Sequence, residues 1–276
     1  MAATPIGNLE DMTYRCVRIL SQVELIAAED TRHTRQLLAH FDIHTRLTSY
    51  HEHNKLAKGP ELIEYLLSGK DLACVSDAGL PGICDPGSHL AALAIEAGIR
   101  VTALPGANAA LSALICSGVD TTAFTFAGFL PRTAKKRRER LEQLKEREET
   151  LIFYEAPHHL KETLGGLAEA FGEARQAAVC RELTKKFEEF RRGSLGEHLD
   201  YYEDHPPREE FVIVVEGAGN SVPPSRETTG DPAEFYESLL AQGRDRKEAM
   251  RETAKKLGIS RREVYGLLLK RQDPNT

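Results

Sequence analysis

The chain has no apolar run long enough to cross a membrane and no basic flank ahead of an apolar signal core. It therefore reads as a cytoplasmic protein with no membrane partner. Its five cysteines, Cys16, Cys74, Cys84, Cys116 and Cys180, are odd in number and widely spaced, with no C-x-x-C pair. That argues against a disulfide framework or a structural zinc and for free thiols in a reducing compartment. H-E-x-x-H is also missing, so His51-Glu52-His53 is read as a polar, substrate-facing loop and no metal is expected. No G-x-G-x-x-G occurs, which leaves a nicotinamide-binding Rossmann domain poorly supported. What is present is 276 residues, 41% hydrophobic and 28% charged, enough for two compact domains, or one large one, plus a tail.

The most informative stretch is Leu72 to Gly87, LACVSDAGLPGICDPG. Leu72 to Val75 reads as a buried strand, and the loop after it holds three glycines and two prolines with Asp77 and Asp85 among them. Such a loop bares backbone N–H groups and lets a ligand approach the main chain closely. At the carboxyl end of a parallel strand it stands where α/β sheets hold small molecules. An ordinary Gly/Pro turn with Asp caps explains one loop of this kind, but the chain repeats the device at Thr4-Pro5-Ile6-Gly7 and at Leu104-Pro105-Gly106-Ala107. Three loops near strand ends point to one shared pocket. The first arrives early, with only Met1-Ala2-Ala3 ahead of Thr4, so a start upstream of Met1 is expected.

Taken in order, apolar spacing predicts a helix over Met12 to Leu20 capped by Asp11, then a buried strand over Val23 to Ala28. The next junction is Glu29-Asp30-Thr31-Arg32-His33-Thr34-Arg35. Asp30 or Thr31 as an N-cap accounts for one of these residues. It leaves unexplained Arg32 and Arg35 in a first turn, where the helix dipole disfavours positive charge unless an anion is near. A short strand around Leu47 to Tyr50 follows, then a helix opened by Pro60 and closed by Gly69, a helix capped by Ser88, a strand over Arg100 to Leu104, and a small-residue helix over Ala109 to Cys116. Strands alternating with helices through short connections predict a parallel sheet covered on both faces. Beyond a boundary at Gly118 to Asp120, strands are expected at Phe124 to Ala127, Leu151 to Tyr154, Ala177 to Arg181, Phe187 to Gly193 and Phe211 to Glu216. The succession RELTKKFEEFRRG implies two adjacent strands around a turn, hence some antiparallel pairing.

The expected division is an α/β domain over residues 1–118, a mixed-sheet α/β domain over 119–218, a linker over 219–230, and a helical, helix-turn-helix-like domain over 231–276. Three packed amphipathic helices with no nucleic-acid role would look the same as the last of these. Net charge is −6, yet residues 132–147 hold eight Lys/Arg against three Glu, and residues 244–271 hold ten against four acidic residues. Basic segments on an acidic body suit a phosphate backbone; solvated helix faces laced with i,i+4 pairs are the competing reading.

The strings ATPIGNLEDMT, LIAAEDTRHTRQLL, SYHEHN, VSDAGLPGICDPG, LPGANAALSAL, FAGFLPR, YEAPHHL, RELTKKFEEFRRG and EEFVIVVEG, in this order over residues 2 to about 217, resemble the S-adenosylmethionine-dependent tetrapyrrole-methylase superfamily. Within it they resemble the bacterial ribose methyltransferases of small-subunit ribosomal RNA. The chain departs from that pattern at Leu80 and Cys84, where Thr and Ser are common, and in its clipped first strand. The resemblance implies a two-domain class III methyltransferase fold and a homodimer holding S-adenosylmethionine between two α/β domains. It also implies methyl transfer to the ribose 2′-oxygen of a cytidine in the decoding region of 16S ribosomal RNA. Carried over residue by residue, the cofactor pocket uses Pro5, Gly7, Asp77, Ala78, Gly79, Pro81, Asp85, Pro105, Gly106, Ala107 and Tyr154.

Transfer from a sulfonium is an in-line displacement in which positioning dominates and an acceptor helps a weakly acidic hydroxyl lose its proton. Asp30 is the expected acceptor, with Arg32 and Lys186 fixing the adjacent phosphates. RNA contacts are expected at Arg35, His51, His53, Lys55, Arg132, Lys135, Lys136, Arg137, Arg181 and Lys185. Two rival readings stand beside this one. Methylation of a tetrapyrrole carbon would use the same pocket but has no use for the basic segments. A non-enzymatic nucleic-acid-binding regulator would work through the C-terminal helices.

Overall fold

The computed structural model describes residues 1–220 and 232–257, with Val264, Tyr265 and Leu268 beyond them. The linker expected up to residue 230 lies, from residue 221, outside the described residues, as does most of the expected helical domain beyond residue 257. The chain divides into two compact units: Met1–Cys116 with Cys180–Phe190, and Ser117–Val179 with Arg191–Thr276.

The first unit runs α1 (Tyr14–Gln22), β1 (Leu25–Ala28), α2 (Thr31–His40), β2 (Arg46–Ser49), α3 (Lys55–Leu67), β3 (Leu72–Val75), α4 (Gly87–Glu96) and α5 (Ala109–Ser117). The strands lie in the order β2-β1-β3, and β1 is parallel to both neighbours. Alternation along β1 splits its side chains between two cores. Ile26 and Ala28 join Cys16, Leu20, Leu38 and Val75 on one face, while Leu25 and Ala27 join Tyr50, Leu62, Cys74 and Leu90 on the other. A sheet buried on both faces needs helices on both, which the βα connections supply. Full burial of a side chain such as Ile26 or Leu62 contributes roughly 1.5–3 kcal/mol.

Several local expectations shift. The cap of α1 is Thr13, which accepts the Cys16 N–H, while Asp11 closes a short 3₁₀ turn. Helix α3 starts five residues before Pro60, because the carbonyls of His51 and Asn54 already take its first N–H groups and an exposed proline then forfeits one bond. Arg100 to Leu104 forms no strand of its own; Leu104 alone bridges Ala2, in parallel. Residues ahead of the first loop nevertheless run as a strand would. The Ala2 N–H bonds Cys74 O at 2.9 Å, Ala3 N–H bonds Leu104 O at 3.3 Å, and Leu104 N–H bonds Met1 O at 2.8 Å.

The second unit contains β4 (Phe124–Phe129), α6 (Ala134–Leu144), β5 (Thr150–Glu155), α7 (Leu160–Phe171), β6 (Gln176–Arg181), β7 (Glu189–Ser194), α8 (Leu195–Asp204) and β8 (Phe211–Val215), followed by α9 (Pro232–Ala241) and α10 (Arg246–Leu257). The sheet order is β4-β5-β8-β6-β7. With β4 parallel and β8 antiparallel to β5, the sheet is mixed. Its core is largely aliphatic, with Leu141, Leu144, Leu160, Leu164 and Leu167 from the helices meeting Leu151, Phe153, Val179, Ile213 and Val215 from the strands. Residues 180–190, which hold the turn between β6 and β7, group with the first unit. Among the described residues no helix is long and apolar enough to cross a membrane.

Candidate active site

Three Gly/Pro loops meet at the carboxyl end of the parallel sheet. Thr4 and Gly79 exchange backbone bonds, N–H to O at 2.9 Å and 3.1 Å, and Thr4 Oγ1 donates to Ser76 O at 3.1 Å. The third loop closes on both. A β-carbon on Gly106 would lie 2.7 Å from that of Ala3, and one on Gly79 would lie 3.4 Å from Ala107 O and 3.3 Å from the Ile6 side chain. Gly79 and Gly82 take φ of +81° and +95°, a region closed to most side chains, and Cys84 is held there too at +64°. Pro5, Gly7, Asp77, Ala78, Gly79, Pro81, Asp85, Pro105, Gly106 and Ala107 thus all lie on three adjoining loops of one unit, the first bonded to both of the others.

Carboxylates line the junction. The Asp77 carboxylate accepts the Asp30 N–H at 2.9 Å, tying the end of β3 to the end of β1. Glu29 precedes it, its pKa raised by burial and then by the charges of Asp77 and Asp85, against a bond from the Asp77 N–H. Asp85 turns inward. It accepts Gly82 N–H at 2.8 and 2.9 Å through its two oxygens and Gly87 N–H at 2.7 Å. Burial raises its pKa in spite of these bonds. Asp85, and not the expected Ser88, therefore serves the first N–H of α4, and its carboxylate pins the loop's own backbone.

The acceptor role expected of Asp30 fits its surroundings poorly. Asp30 caps α2, and its carboxylate takes Arg32 Nε at 3.1 Å and Nη2 at 2.7 Å. Those bonds and the Arg32 backbone N–H hold it well below the usual carboxylate range, and a carboxylate that sheds its proton so readily is a weak base. The same pair answers why Arg32 tolerates the first turn of α2: it neutralises its own cap. Glu29, next to it, holds its proton more tightly, and nothing local in sequence distinguishes it, because the cause is burial and then the charges of Asp77 and Asp85, about fifty positions away.

Of the expected RNA contacts, Arg35 is exposed on α2. His51 and His53 lie with ring centroids 6.1 Å apart in the turn before α3, and Lys55 pairs with Glu52 at 2.6 Å. Among the described residues no three His, Cys, Asp or Glu side chains are grouped to hold a metal ion. Arg181 pairs with Glu189 at 2.5 Å and Lys185 with Glu182 at 2.7 Å, while Lys186 stands over Phe187.

In the second unit Arg132, Lys135 and Lys136 are exposed, but Arg137 is buried. Its guanidinium meets Glu162 at 2.5 Å and the Arg132 carbonyl at 3.4 Å, so it cannot reach a phosphate. The signal was in the spacing: Arg137, Leu141 and Leu144 share the buried face of α6 at i, i+4 and i+7. Tyr154, the one expected cofactor residue in this unit, sits on β5 against Phe126 and Phe129, at 4.9 and 5.7 Å between ring centroids.

The residues present suit a small cationic cofactor. Loops whose glycines leave no room for a β-carbon offer main-chain groups to it, and the carboxylates beside them suit a positive centre. Comparison with known proteins follows the same line. The chain is 48% identical over 269 residues to the Ribosomal RNA small subunit methyltransferase I of Halalkalibacterium halodurans, covering 97% of this chain and 93% of that one. It is 49% identical over 268 residues to the protein of the same name from Bacillus subtilis, covering 96% and 91%. Among solved structures, the uroporphyrin-III-C-methyltransferase of Thermus thermophilus matches with a TM-score of 0.52 at 22% identity over 79% of this chain and 93% of that one. The methyltransferase CobJ matches with a TM-score of 0.58 at 20% identity, over 79% and 92%; both likenesses speak to the fold alone. The family model for tetrapyrrole (corrin/porphyrin) methylases matches residues 1–198, and the chain belongs to that family.

Proposed function

We propose that this protein transfers a methyl group from S-adenosylmethionine to the ribose 2′-oxygen of a cytidine in the decoding region of 16S ribosomal RNA, working on the RNA or on the small subunit as a cytoplasmic homodimer. The observation that carries the reading is the closure of three glycine loops beside Glu29 and Asp77 at the ends of parallel strands. Near full-length identity to proteins named as small-subunit ribosomal RNA methyltransferases supports RNA over a porphyrinoid as the acceptor.

Bound on these loops, S-adenosylmethionine would supply an electrophilic methyl on a positively charged sulfur. The main chain of Thr4–Gly7, Asp77–Pro81 and Pro105–Ala107 would hold it, and the carboxylate of Asp77, already fixed by the Asp30 N–H, keeps the rim negative. Glu29 we assign as the acceptor for the ribose hydroxyl proton, since burial gives it the stronger proton affinity of the two candidates. Arg32, ion-paired yet largely exposed, and Lys186, beside Phe187, would meet phosphates.

The test uses labelled S-adenosylmethionine with small subunits lacking the modification and, separately, with a porphyrinoid. Label on ribose 2′-oxygen in the first and none in the second is expected. Label on the macrocycle alone would overturn the reading, and no transfer to either with intact RNA binding would favour a non-enzymatic regulator.

A further inference from the structure

The turn between β6 and β7 carries features that the fold does not need. Glu182 and Thr184 both take left-handed backbone, at φ of +54° and +67°, and for a β-branched residue such as Thr184 that is a true outlier. Thr184 Oγ1 is also buried without a hydrogen-bond partner among the described residues. Strain of this kind persists only where the surroundings impose it. Here the imposing surface is the first glycine loop: a β-carbon on Gly7 would lie 2.6 Å from Lys185 Cγ, 2.9 Å from Leu183 O and 3.0 Å from Thr184 Oγ1. The turn is thus seated on the loop that opens the proposed cofactor site.

What this seat presents is an aromatic ring. Phe187 is 68% exposed, so it gains little from burial. The Lys186 ammonium stands 5.6 Å from its centroid and has no ion pair among the described residues, whereas Lys185 and Arg181 are held by Glu182 and Glu189. An open π-face beside an unneutralised cation matches an unpaired base joined to its phosphate, and stacking on aromatic side chains is how unpaired bases are commonly held.

We propose that Phe187 is a stacking platform for an unpaired base of the RNA substrate, with Lys186 taking the neighbouring phosphate. The proposal rests on the RNA-methylating reading and names a positioning residue for it.

The chain contains no tryptophan, so Phe187→Trp installs a single fluorophore at the site. The full-length protein, Phe187→Ala, Phe187→Leu and Phe187→Trp are compared on small subunits lacking the modification, at saturating S-adenosylmethionine. For Phe187→Ala we expect the KM for the subunit to rise roughly tenfold to a hundredfold, the loss of one stacked base. Its kcat should stay within about twofold, and its affinity for S-adenosylhomocysteine should match the parent's. Phe187→Trp should restore KM, and its emission should be quenched on adding substrate. Unchanged KM in Phe187→Ala, rescue by leucine equal to that by tryptophan, or tryptophan emission indifferent to saturating substrate would each overturn the proposal. So would a changed sedimentation coefficient in Phe187→Ala with KM intact, which would make the ring a contact with another chain. Should the parent protein itself transfer no methyl to the subunit, the functional reading fails and takes this one with it, an outcome distinct from an active parent with an indifferent variant.

Discussion

Asp85→Asn changes one group in the loop after β3, and its consequences for stability and for binding should part company. The aspartate accepts Gly82 N–H through both oxygens and Gly87 N–H through one. Making these bonds neutral lowers each from about 1.5–3 to about 0.5–1.5 kcal/mol, and the new amide N–H faces a donor, so the gross loss is about 2–3 kcal/mol. Against this stands the burial of a charge. The pKa of Asp85 is raised, so burial and the neighbouring Asp77 outweigh the bonds from Gly82, Gly87 and Ile83. A carboxyl with a raised folded pKa contributes stability that is fully present below its unfolded value of about 3.9 and is lost as pH rises through the folded value. At pH 7 the ionised group is therefore a net cost, which asparagine removes. The two effects nearly cancel. Asp85→Asn should melt within a few degrees of the parent at pH 7, on the scale of about 1 kcal/mol, and should compare progressively less well as pH falls and the parent carboxyl takes up its proton. Binding has no such compensation, because the loop loses the pin that holds its left-handed Gly82 and Cys84 in place. Calorimetry with S-adenosylhomocysteine should show affinity reduced about tenfold or more, on the scale of one such bond. Parent-like affinity, together with a melting difference that does not vary with pH, would refute the assignment of Asp85 as the loop's pin.

Gly7→Ala should cost about 1–3 kcal/mol by overpacking, seen in thermal melts, and should weaken S-adenosylhomocysteine binding, since Lys185 Cγ can move but Leu183 O cannot without shifting the turn. Gly165→Ala, with nothing within 4 Å on helix α7, is the matched control and should raise stability by about 0.5–1 kcal/mol. Arg137→Ala should lower the melting temperature and leave the salt dependence of RNA binding as it was; Lys135→Ala and Lys136→Ala should do the reverse, each flattening the slope of log K against log salt by about one unit if it meets a phosphate. In a pH–rate profile the acid limb should lie above the ordinary glutamate range, because burial raises the acceptor and it must be deprotonated to act; Glu29→Gln should remove that limb, and an unchanged limb would return the proton to another group.

The sequence determined more of the active-site loops than of their chemistry. Gly79 and Gly82 are forced by left-handed backbone that other residues resist, so a glycine loop after an apolar run could be recognised from sequence, and β1 and β3 are short apolar runs that read as strands buried on both faces; Gly106 is required instead by the close approach of Ala3. Helix faces were equally legible in principle, as the Arg137, Leu141 and Leu144 spacing shows, but a run of lysines and arginines reads as surface until one of them is seen to find Glu162. Proton affinity was not legible at all. Asp30 and Glu29 are neighbours with the same functional group; the first is neutralised locally by Arg32, two residues on, but only the fold decides that the second is half-buried beside Asp77 and Asp85. The exposure of Phe187 belongs to the same class, because it depends on a turn held in place by Gly7, some 180 residues earlier in the chain. Local conformation is set by residues a few positions apart and is written in the sequence; charge, burial and exposure are set by whatever the fold brings alongside, and only the tertiary structure decides them.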